Sequence, residues 1–271
     1  MFGVAMKLFH AERGNGVPVV AVHGWAPDHR LMLGCLEPIF ERRDGYRRLY
    51  PDLPGLGRSA APPEVASSDA VLSAVLEFID QQVGAEPFIL VGESYGGYLA
   101  RGIVRARPSQ VLGLGLICPV GEPRRELRTL PSLQVLRSDP DVLDGLEPQV
   151  AQSFTGLAVV QSRETLRRFL AEVQPGLDLA DWAALARVEE HWLLSQDPDA
   201  GGLPPFEGPS LLLLGRQDIA VGYLDQLALL AQYPRASLAI LDVAGHNLQI
   251  EQPQLFTALV EEWLDRIAAE V

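Results

Sequence analysis

The chain has 271 residues, 48% of them hydrophobic and 21% charged, with a formal net charge of −13. That length fits one elaborated domain with a large core, and the composition is that of an ordinary soluble globular protein. The negative charge sets the chain against nucleic-acid backbones and anionic membrane surfaces, which would repel it. The charge says little about a small neutral molecule, and a homodimer is left open.

The opening stretch MFGVAMKLFHAERG has no long apolar run and no small-residue cleavage site, so it does not read as a signal peptide. No segment approaches the ~18 apolar residues of a membrane span. A cytoplasmic protein is expected. Cys35 and Cys118 lie far apart and read as buried thiols in a reducing compartment. They have no ligand partners at metal-binding spacing, so neither a metal nor a cofactor is expected.

In chain order, Val17 to Gly24 (VPVVAVHG) is a β-branched run closed by glycine, the pattern of a buried strand. Arg30 to Phe40 has helical spacing. Tyr46 to Gly55 reads as a strand running into a loop punctuated by proline and glycine. Ala66 to Val83 reads as a helix, with Ser67, Ser68 and Asp69 available as caps. Pro87 to Ser94 is a strand, Tyr95 to Arg107 a helix, and Val111 to Cys118 another strand. Alternation resumes with a strand at Ser210 to Gly215 and a helix at Val221 to Tyr233. A strand at Ala236 to Gly245 and a helix at Gln252 to Ala269 complete it. Strands alternating with helices predict a doubly wound, mainly parallel α/β sheet covered on both faces, with ligands at the carboxyl ends of the strands.

Residues 121–205 break the alternation. Pro148 to Val160, Ser162 to Val173 and Leu179 to Leu194 have helical spacing, and DPDAGGLPPFEGP reads as a linker. The stretch is read as a helical insertion between two late strands. Residues 1–120 and 206–271 would then form the core.

Gly92-Glu93-Ser94-Tyr95-Gly96-Gly97 matches G-x-S-x-G, with a buried strand before it and a helix after it. This context suits a nucleophilic serine. The turn lifts Oγ clear of the sheet, the glycines let neighbouring elements approach, and the helix N-terminus favours developing negative charge. Without that context, the same letters would be a Gly-Ser turn.

A serine hydroxyl needs a base. The chain has five histidines: His10, His23, His29, His191 and His246. His246 follows the last strand, where a loop reaches the same sheet edge as Ser94. His23, at another strand end, is the rival, with a structural role bonded to loop backbone as its plainer reading. The base in turn needs a carboxylate to hold its tautomer. Asp218 follows the strand Ser210 to Gly215 and lies between Ser94 and His246 in the chain, the order Ser, Asp, His. Its rivals are Glu122 and Asp242, and its plainer reading is a turn or cap residue. The expected oxyanion donors are the backbone N–H of Tyr95 and that of Trp25 in the His23-Gly24-Trp25-Ala26 loop, with Ala26 as an alternative. Each such donor is worth about 3 kcal/mol.

With these pieces placed, the chain resembles the α/β-hydrolase superfamily. Within it, the chain is similar to the single-domain group of small carboxylesterases, cofactor-free haloperoxidase-like enzymes, meta-cleavage C–C hydrolases and proline iminopeptidases. The resemblance rests on HGW at Trp25, DLPGLGRS at Asp52 to Ser59, GESYGG at Ser94, GRQD at Asp218 and AGH at His246. It implies that the insertion is a helical cap with substrate held between cap and sheet. The short N-terminus leaves room for one strand before Val17, so the sheet would lack a strand usual in the family. Serine as nucleophile argues against epoxide hydrolases and haloalkane dehalogenases, which attack with a carboxylate.

The insertion supplies Phe154, Leu157, Phe169, Leu170, Trp182 and Trp192. At helical spacing such residues are more often core than pocket. Phe154, Trp182 and Trp192 are taken as candidate substrate contacts beside Trp25 and Tyr95. Arg124, Arg125 and Arg128 form a basic cluster that a carboxylate-bearing substrate would suit, although a solvated face is the plainer reading. The expected reaction is two-step acyl transfer on a small-molecule ester, rising with pH through a pKa near ~6–7. A C–C bond hydrolase with the same triad is the alternative. A small-molecule receptor or interaction module reusing the fold is the alternative of another class.

Overall fold

A computed structural model describes residues 6–270; the first five residues of the opening stretch read above lie outside them. The frame is a seven-stranded sheet in the order β1-β3-β2-β4-β5-β8-β9. Its strands are β1 (His10–Gly14), β2 (Val17–Val22), β3 (Tyr46–Pro51), β4 (Phe88–Glu93), β5 (Val111–Ile117), β8 (Ser210–Gly215) and β9 (Ala236–Leu241). The β1 strand pairs antiparallel with β3, and the other pairings are parallel. Among the described residues one strand, β1, precedes Val17.

The central strands are mostly apolar because both faces are covered. β4 and β8 are buried at every position. The helices α1 (His29–Phe40) and α9 (Pro253–Ala268) pack together and against the sheet. As a second pair, α2 (Ser68–Gln82) packs on α3 (Tyr95–Ala106), which packs against the sheet. Ser67 caps α2 by accepting from the Ala70 N–H. A hydrophobic core runs from Val19 and Leu90 in the sheet to Phe78, Leu99 and Trp263 on the helices.

β5 and β8 are sheet neighbours, so everything between them is an excursion from the sheet. That excursion holds α4 (Pro148–Thr155), α5 (Arg163–Glu172), α6 (Gln174–Leu179) and α7 (Trp182–Glu189). It also holds β6 (Arg137–Ser138) and β7 (Val160–Gln161), a two-stranded pair that apolar patterning could not reveal, because each strand is two residues long. Phe154 and Phe169 build a second small core with Leu31 of α1 and Ile250 of α8 (Leu248–Glu251).

Three helix expectations are corrected. Pro148 to Val160 is helical only over Pro148–Thr155, and Val160 belongs to β7. Val221 to Tyr233 is not an α-helix: after a turn at Asp218, only Asp225–Ala231 is helical, as a 3-10 segment. Leu179 to Leu194 is broken at Ala180 and stops at Glu189, so Trp192 lies beyond the helix. No helix among the described residues is long and apolar enough to cross a membrane.

Candidate active site

The turn from β4 into α3 holds Ser94 at φ 53° and ψ −115°, a region few side chains adopt. Such backbone costs about 1–3 kcal/mol and persists only where the surroundings impose it. They do so here. The Ser94 N–H donates to the Ile117 carbonyl at the end of β5, and the Ser94 carbonyl accepts from Gly97, Tyr98 and Val120. The flanking glycines are required by contact. A Cβ on Gly92 would lie 2.4 Å from the Gly96 oxygen, and one on Gly96 would lie 2.3 Å from the Val22 oxygen.

His246 lies in the loop after β9. Its Nε2 is 3.0 Å from Ser94 Oγ, and its Nδ1 is 2.8 Å from Asp218 Oδ2. Asp218 is fully buried and divides its oxygens between two jobs. While Oδ2 faces the imidazole, Oδ1 accepts from the Ala220 and Val221 N–H groups at 2.8 and 3.0 Å. The turn-aspartate role and the histidine-partner role therefore coexist in one side chain.

The other histidines lie elsewhere. His23 is buried, with Nδ1 2.8 Å from the Gly24 carbonyl and Nε2 accepting from the Leu53 N–H, the backbone-bonded role considered for it. His10 faces Glu12, His29 is held by Asp52 at 2.7 Å, and His191 is exposed. The rival carboxylates are also occupied: Glu122 pairs with Arg124, and Asp242 accepts from Gln217.

The expected oxyanion donors are the Tyr95 and Trp25 amides. The Tyr95 N–H is at the first position of α3, and Trp25 precedes Ala26, which turns the loop at φ 82°. Neither amide has a partner among the described residues. At a helix N-terminus the free Tyr95 donor also benefits from the helix dipole.

Glu93 is a functional candidate that the sequence reading passed over, although it is the second letter of the nucleophile motif. It is 1% exposed. Its Oε1 is 3.5 Å from His246 Nε2, and its Oε2 has no hydrogen-bond partner among the described residues. Burial pushes its carboxyl up to about 7 against the pull of the His246 charge, with Asp218 adding to the rise. For His246, burial works against protonation, but the charge and hydrogen bond of Asp218, with Glu93, outweigh it and lift the imidazole to about 9. That is higher than the value expected for an ordinary histidine base, because two buried carboxylates face one ring.

The His246 loop is tied down from two sides. Gln217 bonds the Ala244 backbone through both its own N–H and its side-chain oxygen. Glu251 accepts from the Gly245 N–H with one oxygen and from the Val159 and Val160 N–H groups with the other.

Ser94 and His246 open onto a cavity of about 370 Å³. Its wall includes Trp25, Tyr95 and Trp192, whose rings pack together: Tyr95 stacks on Trp192 at 4.5 Å, and Trp25 meets both edge-on at 4.9 Å. Leu157, Arg125 and Arg128 also line it. Two expected contacts are corrected. Phe154 is consumed by the second core, packed on Phe169 at 5.4 Å, and Trp182, at the start of α7, is 58% exposed. Neither reaches this cavity. A larger groove, of about 700 Å³ around Arg101 and Asp199, contains none of the candidate catalytic side chains.

Residues 19–259 match the model of the alpha/beta hydrolase family. The chain is 27% identical to a pimeloyl-[acyl-carrier protein] methyl ester esterase of Aeromonas hydrophila subsp. hydrophila, over 93% of this chain and 96% of that protein. It is 24% identical to a 2-hydroxymuconate semialdehyde hydrolase of Pseudomonas sp. (strain CF600), over 93% of this chain and 88% of that one. Among solved structures it superposes on an alpha/beta superfamily hydrolase from Oenococcus oeni PSU-1 with a TM-score of 0.89 and 27% identity, covering 97% of this chain and 100% of the other. With a family match that runs from β2 into α9, the chain belongs to the alpha/beta hydrolase family and is a hydrolase.

Proposed function

We propose that this hydrolase cleaves an ester bond of a small molecule through an acyl-enzyme on Ser94. The observation that carries the reading is the unbroken run from Ser94 Oγ through the His246 ring to Asp218, at 3.0 and 2.8 Å, opening onto the cavity. Neutral His246 takes the Ser94 proton at Nε2 as Oγ attacks the ester carbonyl. The Tyr95 and Trp25 N–H groups hold the oxyanion. Asp218 keeps the Nδ1 proton in place and stabilises the imidazolium. His246 then gives its proton to the leaving alcohol. A water then loses a proton to Nε2 as it attacks the acyl carbon; the acyl–Oγ bond breaks, Nε2 returns the proton to Oγ, and the acid leaves.

A fluorophosphonate probe with a p-nitrophenyl ester panel tests this. Wild type should be labelled and should turn over esters, while Ser94→Ala should do neither. Labelling that persists in Ser94→Ala would overturn the assignment.

The second reading is hydrolysis of a C–C bond in a vinylogous diketone by the same residues. It is favoured by the similarity to the 2-hydroxymuconate semialdehyde hydrolase along nearly the whole chain. Turnover of a dienol ring-cleavage product faster than any ester would select it.

A further inference from the structure

We infer that Arg128 makes the Ser94 cavity a site for an anionic group, so that the preferred substrate carries a carboxylate besides the bond that is cut. This rests on the ester-hydrolase reading above and narrows it.

Three arginines lie close together in the chain, and the fold treats them differently. Arg124 is 53% exposed and bonds both oxygens of Glu122. Arg125 bonds Glu189 at 2.7 Å and lies over the Trp192 ring at 5.3 Å. Both charges are answered. Arg128 makes no ion pair among the described residues. Its guanidinium donates to three backbone carbonyls: Glu122 at 2.9 Å, Ala220 at 3.0 Å and Pro123 at 3.3 Å.

Carbonyl dipoles fix where a guanidinium sits without cancelling its charge. Two of its five N–H donors remain for a ligand. Arg128 is half-buried and lines the same cavity as Ser94 and His246. The carboxylates that act on it are each engaged elsewhere: Asp218 with His246 and the Ala220 and Val221 amides, Glu122 with Arg124, and Asp225 with the Thr129 N–H. Burial and the adjacent Arg125 hold the Arg128 pKa below arginine's usual value, so an arriving anion would relieve an under-compensated cation. The rest of the molecule is strongly acidic, so a local cation in the cavity is what gives an anionic ligand a place to settle. A carboxylate matches a guanidinium in shape and charge, and such pairs are stronger than neutral hydrogen bonds.

The test is steady-state kinetics on matched esters with wild type, Arg128→Met and Arg128→Lys. In one arm the charge is on the acyl side: mono-p-nitrophenyl glutarate against p-nitrophenyl valerate. In the other it is on the leaving side: 4-acetoxybenzoate against phenyl acetate. Wild type should favour the charged member in one arm, which identifies the side that carries the carboxylate. Arg128→Met should lower the preference for that member over its neutral partner, read as the ratio of their KM values, about tenfold or more, and Arg128→Lys should recover part of the loss. Equal effects on both members would mean that Arg128 only clamps two loops, and would overturn the inference. So would a preference for the neutral member in both arms. If Arg128→Met does not fold, competition on wild type decides: glutarate should inhibit and glutaramide should not, and equal inhibition overturns the inference. Turnover of neutral esters with indifference to charge would sink this inference alone. Failure of wild type on every ester, with no labelling of Ser94, would sink the ester reading and this inference together.

Discussion

The Glu93 carboxylate lies 3.5 Å from the Nε2 of His246, on the side of the ring that also faces Ser94. The ring therefore stands between two buried acids, Asp218 at Nδ1 and Glu93 at Nε2. The other charged groups felt there are Arg128, which opposes protonation of His246, and Asp218, which raises Glu93 as well as His246.

This geometry sets a pH prediction. The proposed base acts when neutral, so kcat/KM should rise with pH until His246, lifted to about 9, has lost its proton. Glu93 titrates at about 7, so it is ionised where His246 titrates and supports the imidazolium. Glu93→Gln removes that negative charge. The acid limb of the kcat/KM profile should move to lower pH, and the variant should gain on wild type near neutrality. A limb that stays in place would show that Glu93 does not act on the base.

Asp218→Asn separates chemistry from folding. The asparagine oxygen can keep accepting from the Ala220 and Val221 amides, so the melting temperature should change little. Its NH2 would face His246 Nδ1 and force the proton onto Nε2, leaving no acceptor for the Ser94 hydroxyl. By analogy with other triads, kcat should fall about 10⁴-fold. A loss of activity that tracks loss of fold, followed by circular dichroism, would contradict this division of labour.

Glu251 holds the His246 loop. Glu251→Gln keeps one acceptor for Val159 and Val160 but turns an NH2 toward the Gly245 N–H, leaving a buried donor unpaired. The cost should be about 1–3 kcal/mol of stability. Because the base is held less firmly, kcat should fall more than KM rises. Chemical denaturation and steady-state kinetics read the two effects separately.

Trp263 carries the α9 face of the core. It is 1% exposed, donates from Nε1 to the Pro209 carbonyl, and lies so close to β5 that a Cβ on Gly115 would be 3.0 Å from its ring. Trp263→Ala should cost about 3–5 kcal/mol, while Gly115→Ala should destabilise by overpacking. Since neither residue touches the cavity, the folded fraction of each should keep its KM. A changed KM would couple this face of the sheet to the site.

Strand-helix alternation was readable because the central strands β2, β4 and β8 are short apolar runs closed by glycine, and their pattern differs from that of the helices. Val221 to Tyr233 misled for the same reason. Its apolar spacing fits a helix, but Asp218 commits the backbone at Ala220 and Val221 to its own turn and leaves only a 3-10 segment. The short pair β6 and β7 lies below the length at which periodicity means anything.

The site divides in the same way. The sequence alone determined the nucleophile turn, because Gly92 and Gly96 around Ser94 answer to contacts that follow from a strand meeting a helix. It also determined the order in which the serine, Asp218 and His246 occur. Tertiary structure decided which aromatic side chains meet the cavity: Trp192 does, while Phe154 fills a second core and Trp182 faces solvent. It also decided that Glu93 stands against the base and that, of three neighbouring arginines, Arg128 alone lacks an acidic partner. Those outcomes depend on what each side chain finds across the fold, at separations along the chain that no local pattern encodes.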